Sequence, residues 1–146
     1  NIRHAHFYDV DISWKIGRTG EMSSPELQQT VEIATPPQFP KGVEGVWSPE
    51  HLFTAAVSSC LMTTFLAIAE NSKLEFTNFQ CGSKGKLEQI EGKFQMTEVI
   101  LEPTVVILNE EDREKAERVL QKSEANCLIS NSVHSKITMI PNIVVG

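Results

Sequence analysis

Two thiols define what chemistry this chain could do. Cys60 lies in the middle of an apolar run opened by Ser48-Pro49-Glu50, and Cys127 closes a second helical pattern far downstream. With Arg18, in the glycine-flanked segment Gly17-Arg18-Thr19-Gly20, they point to cysteine redox chemistry rather than to a disulfide scaffold. A cysteine that reduces a peroxide must react as the thiolate, and a nearby guanidinium both stabilises that charge and orients the peroxide oxygen. Arg18 is the best candidate of the four arginines, since Arg113 and Arg118 are expected on the solvent side of a late helix and Arg3 sits at a terminus. Glu50 could hold Arg18 through a bidentate pair. Each residue also has a plainer reading. A free cysteine among apolar side chains is often only a small hydrophobe, Glu50 also suits a helix start, and Cys81, on a predicted strand, reads as structural.

The elements that must position these groups fit one domain, 1–146, long enough to bury a real core. Three widely separated cysteines are too few for a cross-linked secreted scaffold and leave one thiol over, so a reducing, cytoplasmic setting is expected. A net charge of -6, with 13 basic against 19 acidic residues and no polybasic block, argues against nucleic acid or an anionic membrane as the main partner. The stretch 52–69 is broken by Thr54, Ser58, Ser59, Thr63 and Thr64, and reads as a buried helix rather than a membrane span. No secretory pattern opens the chain. His4, His6, His51 and His134 lack the spacing of a zinc site, alone or with the cysteines, so no metal or organic cofactor is expected. A hydrolase using Cys60 with His51 as base is weaker than the redox reading, because His51 is poorly placed along a helix and no third group orients it.

Residues 6–14 alternate His6, Tyr8, Val10, Ile12 and Trp14 against Asp9, Asp11 and Ser13, which predicts a strand. The turn at 17–20 and a weaker strand over 28–35 complete a small hairpin. A Pro- and Gly-rich connection over 36–47, anchored by Trp47, leads to a helix with Ser48 as N-cap and Pro49 first. That helix runs to about Asn71 and is apolar nearly all round, which predicts cover on more than one side, most simply by the same helix of a second chain. Two strands over 74–88 and 92–108 follow. Asn109 then caps a helix on which Ala116, Leu120, Ser123 and Cys127 share the buried side, and 136–145 form a last strand. The order predicts an α+β fold with helices against antiparallel sheets. Glu50 and Cys60, ten residues apart, would be separated by about 15 Å along one helix. Antiparallel central helices in a dimer would bring Glu50 of one chain near Cys60 of the other.

In order along the chain, Gly17-Arg18, Pro49-Glu50-His51-Leu52-Phe53, Ser58-Ser59-Cys60 and Cys127-Leu128-Ile129-Ser130-Asn131 resemble four segments of the OsmC and organic hydroperoxide resistance (Ohr) proteins. Those segments are an arginine after a glycine, a Pro-Glu-Gln-Leu-Phe stretch, a Ser-Ala-Cys segment, and a second cysteine followed by serine and asparagine. The resemblance spans nearly the whole chain. It implies an OsmC-like fold, antiparallel sheets around central helices, in an intertwined homodimer with its active sites at the interface. It also implies roles: Cys60 as the peroxidatic cysteine, Cys127 as the resolving cysteine, and Arg18 with Glu50 as the activating pair. Ser48 in place of asparagine, His51 in place of glutamine and the bulkier 36–47 loop depart from the Ohr pattern and point to a less characterised branch.

The implied function is a thiol-dependent peroxidase. Cys60 would attack an organic hydroperoxide, releasing an alcohol and leaving a sulfenic acid, Cys127 would close a disulfide, and an external dithiol, of the dihydrolipoyl kind, would reopen it. Phe39, Trp47, Phe53 and Phe65 are candidates for an apolar substrate entrance, and equally for core. The alternative is a noncatalytic dimer that binds a small lipid-like molecule, its thiols merely lining the pocket.

Overall fold

The computed structural model describes residues 5–146, so Arg3 and His4 lie outside the described residues. The chain forms two compact units divided between Leu52 and Phe53.

In the first unit, β1 (Asp11–Ile16), β2 (Thr19–Ser23) and β3 (Val31–Ala34) make an antiparallel sheet in the order β1-β2-β3. The predicted hairpin is thus three strands. The chain returns at once through the two-residue turn Gly17-Arg18, with Ile16 opposite Thr19 and Gly17 at φ 57, a backbone that only glycine adopts freely at the head of a tight hairpin. With Gly20 beside it, Met22 is the one large apolar side chain of β2, whose pattern is therefore weak, and the expected strand over 28–35 is the third, β3. Trp14 Nε1 donates to Gly17 O at 3.0 Å and Thr19 Oγ1 to Ile16 O at 2.7 Å, so both ends of the turn are braced. All six residues of β1 are exposed, including Ile12, Trp14 and Ile16. Trp47 anchors the 36–47 loop through its backbone, its carbonyl accepting from Ala34 N at 2.9 Å, while its side chain is exposed and meets the His51 ring edge-on.

Helix α1 (Pro49–Asn71) begins as its sequence requires: Ser48 Oγ accepts from His51 N at 3.1 Å and lies 2.7 Å from His51 Nδ1. His51 stands at the third helical position, where its backbone N–H and its ring both meet the Ser48 hydroxyl. By length and composition alone α1 could cross a membrane, its serines and threonines notwithstanding. It is instead packed on one side, through Val57, Leu61, Phe65 and Ala69, while Met62 and Leu66 on another side stay exposed. Within one chain the expected cover on several sides is therefore only partial.

The second unit is built on a long hairpin of β4 (Phe76–Ile90) and β5 (Lys93–Ile107), joined at Glu91-Gly92 with φ 50 and 81, the two positive values of a tight hairpin turn. Strands β6 (Lys136–Met139) and β7 (Asn142–Val145) lie in succession along the other edge of β5, parallel to it. The predicted single strand over 136–145 is split because Pro141 has no N–H to give the ladder. Antiparallel pairing holds for both hairpins, and the C-terminal segment adds the parallel pairs. Val57 and Leu61 of α1 pack on Val99 and Leu101 of β5, and Phe65 and Ala69 join Val105, Ile107, Ile143 and the inner face of helix α2 (Arg113–Ala125). Ahead of α2 comes a 3₁₀ turn, Glu110–Asp112, so Asn109 does not cap α2 and its side chain makes no cap bond. Arg113 is engaged rather than simply solvated: it grips Glu110 at 2.6 and 3.0 Å and donates to Ile143 O at 2.8 Å.

Gly85 sets how closely α1 approaches β4, because a Cβ there would run into Thr54 Oγ1 of α1 and Met96 of β5. G85A is expected to lower unfolding stability by about 1–3 kcal/mol, the usual cost of overpacking. Adding T54A should restore much of the loss, a coupling that urea denaturation of the single and double variants would measure.

Candidate active site

Cys60 sits between Val57 and Leu61 on the packed side of α1 and is 8% exposed. Cys127 is fully buried. It lies just beyond α2, whose stripe of Ala116, Leu120 and Ser123 continues to it as the periodicity predicts. A run of local bonds fixes the chain around it. Asn126 Nδ2 donates to Lys122 O at 2.8 Å, Cys127 N to Glu124 O at 3.3 Å, Asn131 N to Cys127 O at 3.0 Å, Asn131 Nδ2 to Ala125 O at 3.2 Å and Ser132 Oγ to Leu128 O at 2.7 Å. These turn α2 into the short 3₁₀ segment Ser130–Ser132. Ile129 packs against the Val57–Leu61–Leu101 cluster, which ties the same turn to the core beneath α1.

The outcome is a hydrogen-bonded pair of free thiols with opposite tendencies. Burial pushes the Cys60 thiol up, but donors outweigh it: the Cys127 thiol, the backbone N–H of Ile129, the Thr64 hydroxyl 3.9 Å away and the backbone N–H of Leu128. Its pKa falls below the ordinary thiol range. Cys127 is held above that range by burial, by its own hydrogen bond to Cys60 and by the charge Cys60 carries, against a smaller opposing effect of Ser130. The arrangement can therefore do what neither cysteine could alone. It favours the thiolate at Cys60 and the protonated thiol at Cys127. Cys81 on β4 is raised mainly by burial, packs against the Val57–Leu61 cluster and belongs to no such pair.

Arg18 and Glu50 line one cavity of about 430 Å³ in the first unit, with Ile12, Trp14, Ile33 and Phe39 among its walls. Of the other aromatic candidates, Trp47 is exposed, Phe53 is half-buried against the Val57–Leu61 cluster, and Phe65 is fully buried between Phe76 and Phe79, with ring centres 5.1 and 4.8 Å away. Phe65 is thus core within the chain. Sequence reasoning missed Thr64, the N–H groups of Leu128 and Ile129, and Ser130. Thr64 carried a usable signal, since a residue four positions on shares the helix face of Cys60. The backbone donors carry none, because every residue has an N–H.

Among the described residues no cluster of His, Cys, Asp and Glu could hold a metal ion. A protein-family model described as OsmC-like protein matches residues 42–141. The chain is 27% identical over 139 residues, 92% of its length and 90% of the relative's, to the uncharacterised protein YmaD of Bacillus subtilis (strain 168). Among solved structures it resembles an OsmC-like protein of unknown function from Vibrio cholerae, with a TM-score of 0.84 and 24% identity, covering 94% of this chain and 99% of that one. It also resembles an organic hydroperoxide resistance protein from Elizabethkingia anophelis, with a TM-score of 0.78 and 20% identity, covering 99% and 100%. The match over residues 42–141, which takes in both the Cys60 segment of α1 and the Cys127 turn, establishes that this chain belongs to the OsmC-like protein family.

Proposed function

We propose that this chain is a thiol-dependent peroxidase that reduces organic hydroperoxides to alcohols through a Cys60–Cys127 cycle. The observation that carries the reading is the hydrogen-bonded pair itself, in which Cys60 is disposed to be the thiolate and Cys127 the thiol. The similarity to an organic hydroperoxide resistance protein from Elizabethkingia anophelis supports the substrate class. In the first step the Cys60 thiolate attacks the distal peroxide oxygen, the O–O bond breaks, and the alcohol leaves after taking up a proton, with Cys60 oxidised to a sulfenic acid. Cys127 then forms the disulfide and water is released. An external dithiol, of the dihydrolipoyl kind, reduces the disulfide by exchange.

Arg18 supplies the cation for the thiolate and for the charge that develops on the peroxide, with Glu50 orienting it; both line the cavity of the first unit. Phe39, from the same cavity, with Trp47 and Phe53, gives the substrate's organic group an apolar contact. The two units work together as one OsmC-like domain, and the functional molecule is a homodimer. Exposed Met62 and Leu66 on α1, and exposed Ile12, Trp14 and Ile16 on β1, are the apolar surfaces that association would cover. Light scattering at micromolar concentration should give twice the chain mass; a monomer alone would remove the dimer from the account.

The catalytic reading is tested by treating reduced variants with tert-butyl hydroperoxide. C60S should consume essentially none. C127S should react once and accumulate a sulfenic acid that dimedone labels, C81S should behave as wild type, and R18A should slow the first step. A folded C60S protein with undiminished turnover would end the proposal. The first step should also accelerate with rising pH as Cys60 ionises, and level off below the range of an ordinary thiol, because the Cys60 pKa is lowered. C127A, which removes a donor, should move that inflection to higher pH, whereas C127S, which keeps an O–H, should not. Stopped-flow pH profiles of the three proteins would decide.

A further inference from the structure

The resolving step needs help that the first step does not. Cys127 is fully buried and holds its proton in the resting protein, yet it must become a thiolate to attack the oxidised Cys60. Resting on the peroxidase reading above, we infer that the Ser130 hydroxyl stabilises the Cys127 sulfur as a thiolate while the disulfide closes.

Ser130 is 9% exposed, and its Oγ has no hydrogen-bond partner among the described protein groups. Native proteins leave few buried hydroxyls unpartnered, because each one costs stability, and those that remain call for an explanation. The neighbouring polar side chains of this turn are all engaged: Asn126 on Lys122 O, Asn131 on Ala125 O and Ser132 on Leu128 O. Ser130 alone is held back. Its hydroxyl and its backbone N–H both approach the Cys127 sulfur, although the hydroxyl contact falls short of an ordinary hydrogen bond. The shortfall has a physical reason. A protonated thiol sulfur is a weak acceptor, so in the resting protein the hydroxyl gains little from it.

Once Cys60 is a sulfenic acid, the situation reverses. As Cys127 gives up its proton, negative charge gathers on a buried sulfur that already faces two donors, and a weak contact becomes a charge-assisted one. An interaction that strengthens only as the charge develops lowers the barrier rather than stabilising the resting state. The atoms balance as follows. Cys127 Sγ forms a bond to Cys60 Sγ, the S–O bond of the sulfenic acid breaks, and the departing hydroxide leaves as water with the proton Cys127 released. No further oxidant is needed, since the hydroperoxide took both electrons in the first step. Ser130 keeps its own proton throughout.

The test separates the two steps in single turnover with tert-butyl hydroperoxide. S130A should slow peroxide consumption far less than disulfide closure, because the direct donors to Cys60 are untouched. It should then close the Cys60–Cys127 disulfide roughly tenfold or more slowly, the scale expected for loss of one hydrogen bond to a charged group. Dimedone-reactive sulfenic acid should accumulate meanwhile, and the pH profile of closure should move to higher pH. S130T, which retains a hydroxyl, should recover much of the closure rate. Closure by S130A at the wild-type rate and pH dependence would overturn the inference, as would equal slowing of both steps with no recovery in S130T. Wild-type protein in which hydroperoxide produces neither a sulfenic acid nor the Cys60–Cys127 disulfide would overturn the peroxidase reading, and this inference with it.

Discussion

The hydrogen bond between the Cys127 thiol and the Cys60 sulfur is the interaction on which the remaining chemistry depends. Burial alone would raise both thiols and leave two inert, small hydrophobic residues. One shared proton breaks that symmetry. The donor keeps its hydrogen and is held above the ordinary range, while the acceptor is surrounded by donors and drops below it. The same contact places the second sulfur where an oxidised Cys60 would need it, so activation of the nucleophile and readiness for resolution come from one geometry.

Such a contact survives only between rigid supports. On one side, Val57, Leu61 and Phe65 lock the face of α1 that carries Cys60 onto β5, each fully buried apolar side chain contributing about 1.5–3 kcal/mol. Gly85 permits that close approach. On the other side, α2 ends against the sheet through Val119 and Leu120, and the turn after it is closed by its own Asn and Ser side chains. Ile129 joins the two supports, since its side chain enters the core under α1 while its N–H faces the Cys60 sulfur. Beyond the last residue of α2, the backbone N–H groups of Leu128 and Ile129 in this turn serve as donors for an anion.

Much of this was legible in the sequence, for identifiable reasons. Ser48-Pro49 marked the start of α1 because capping chemistry is local, and the stripe of Ala116, Leu120 and Ser123 led to buried Cys127 because helical periodicity persists into the next turn. Strand β2 was missed because Gly20 leaves Met22 as the one large apolar side chain on its inner face, and β6 and β7 merged in prediction because Pro141 interrupts pairing without interrupting hydrophobicity. Among the site groups, Cys60 and Cys127 stood out by chemistry, but the donors around them did not. Leu128 and Ile129 act through their backbones, and Ser130 stands out through the partner its hydroxyl lacks, which depends on the fold around it and not on its residue type. Phe65 stayed open between entrance and core in the sequence because size and apolarity do not distinguish a core aromatic from a pocket wall, and its contacts with Phe76 and Phe79 make it core within the chain.

The central claim is that Cys60 is ionised in a range where an ordinary cysteine is not, and that Cys127 and Cys81 are not. Ultraviolet thiolate absorbance of the reduced protein, followed across a pH titration, tests it directly. One thiolate should appear below the ordinary thiol range and be absent from C60S, with the other two appearing only above it. Three thiols that all titrate at or above the ordinary range, unchanged by C60S apart from the loss of one, would contradict the account.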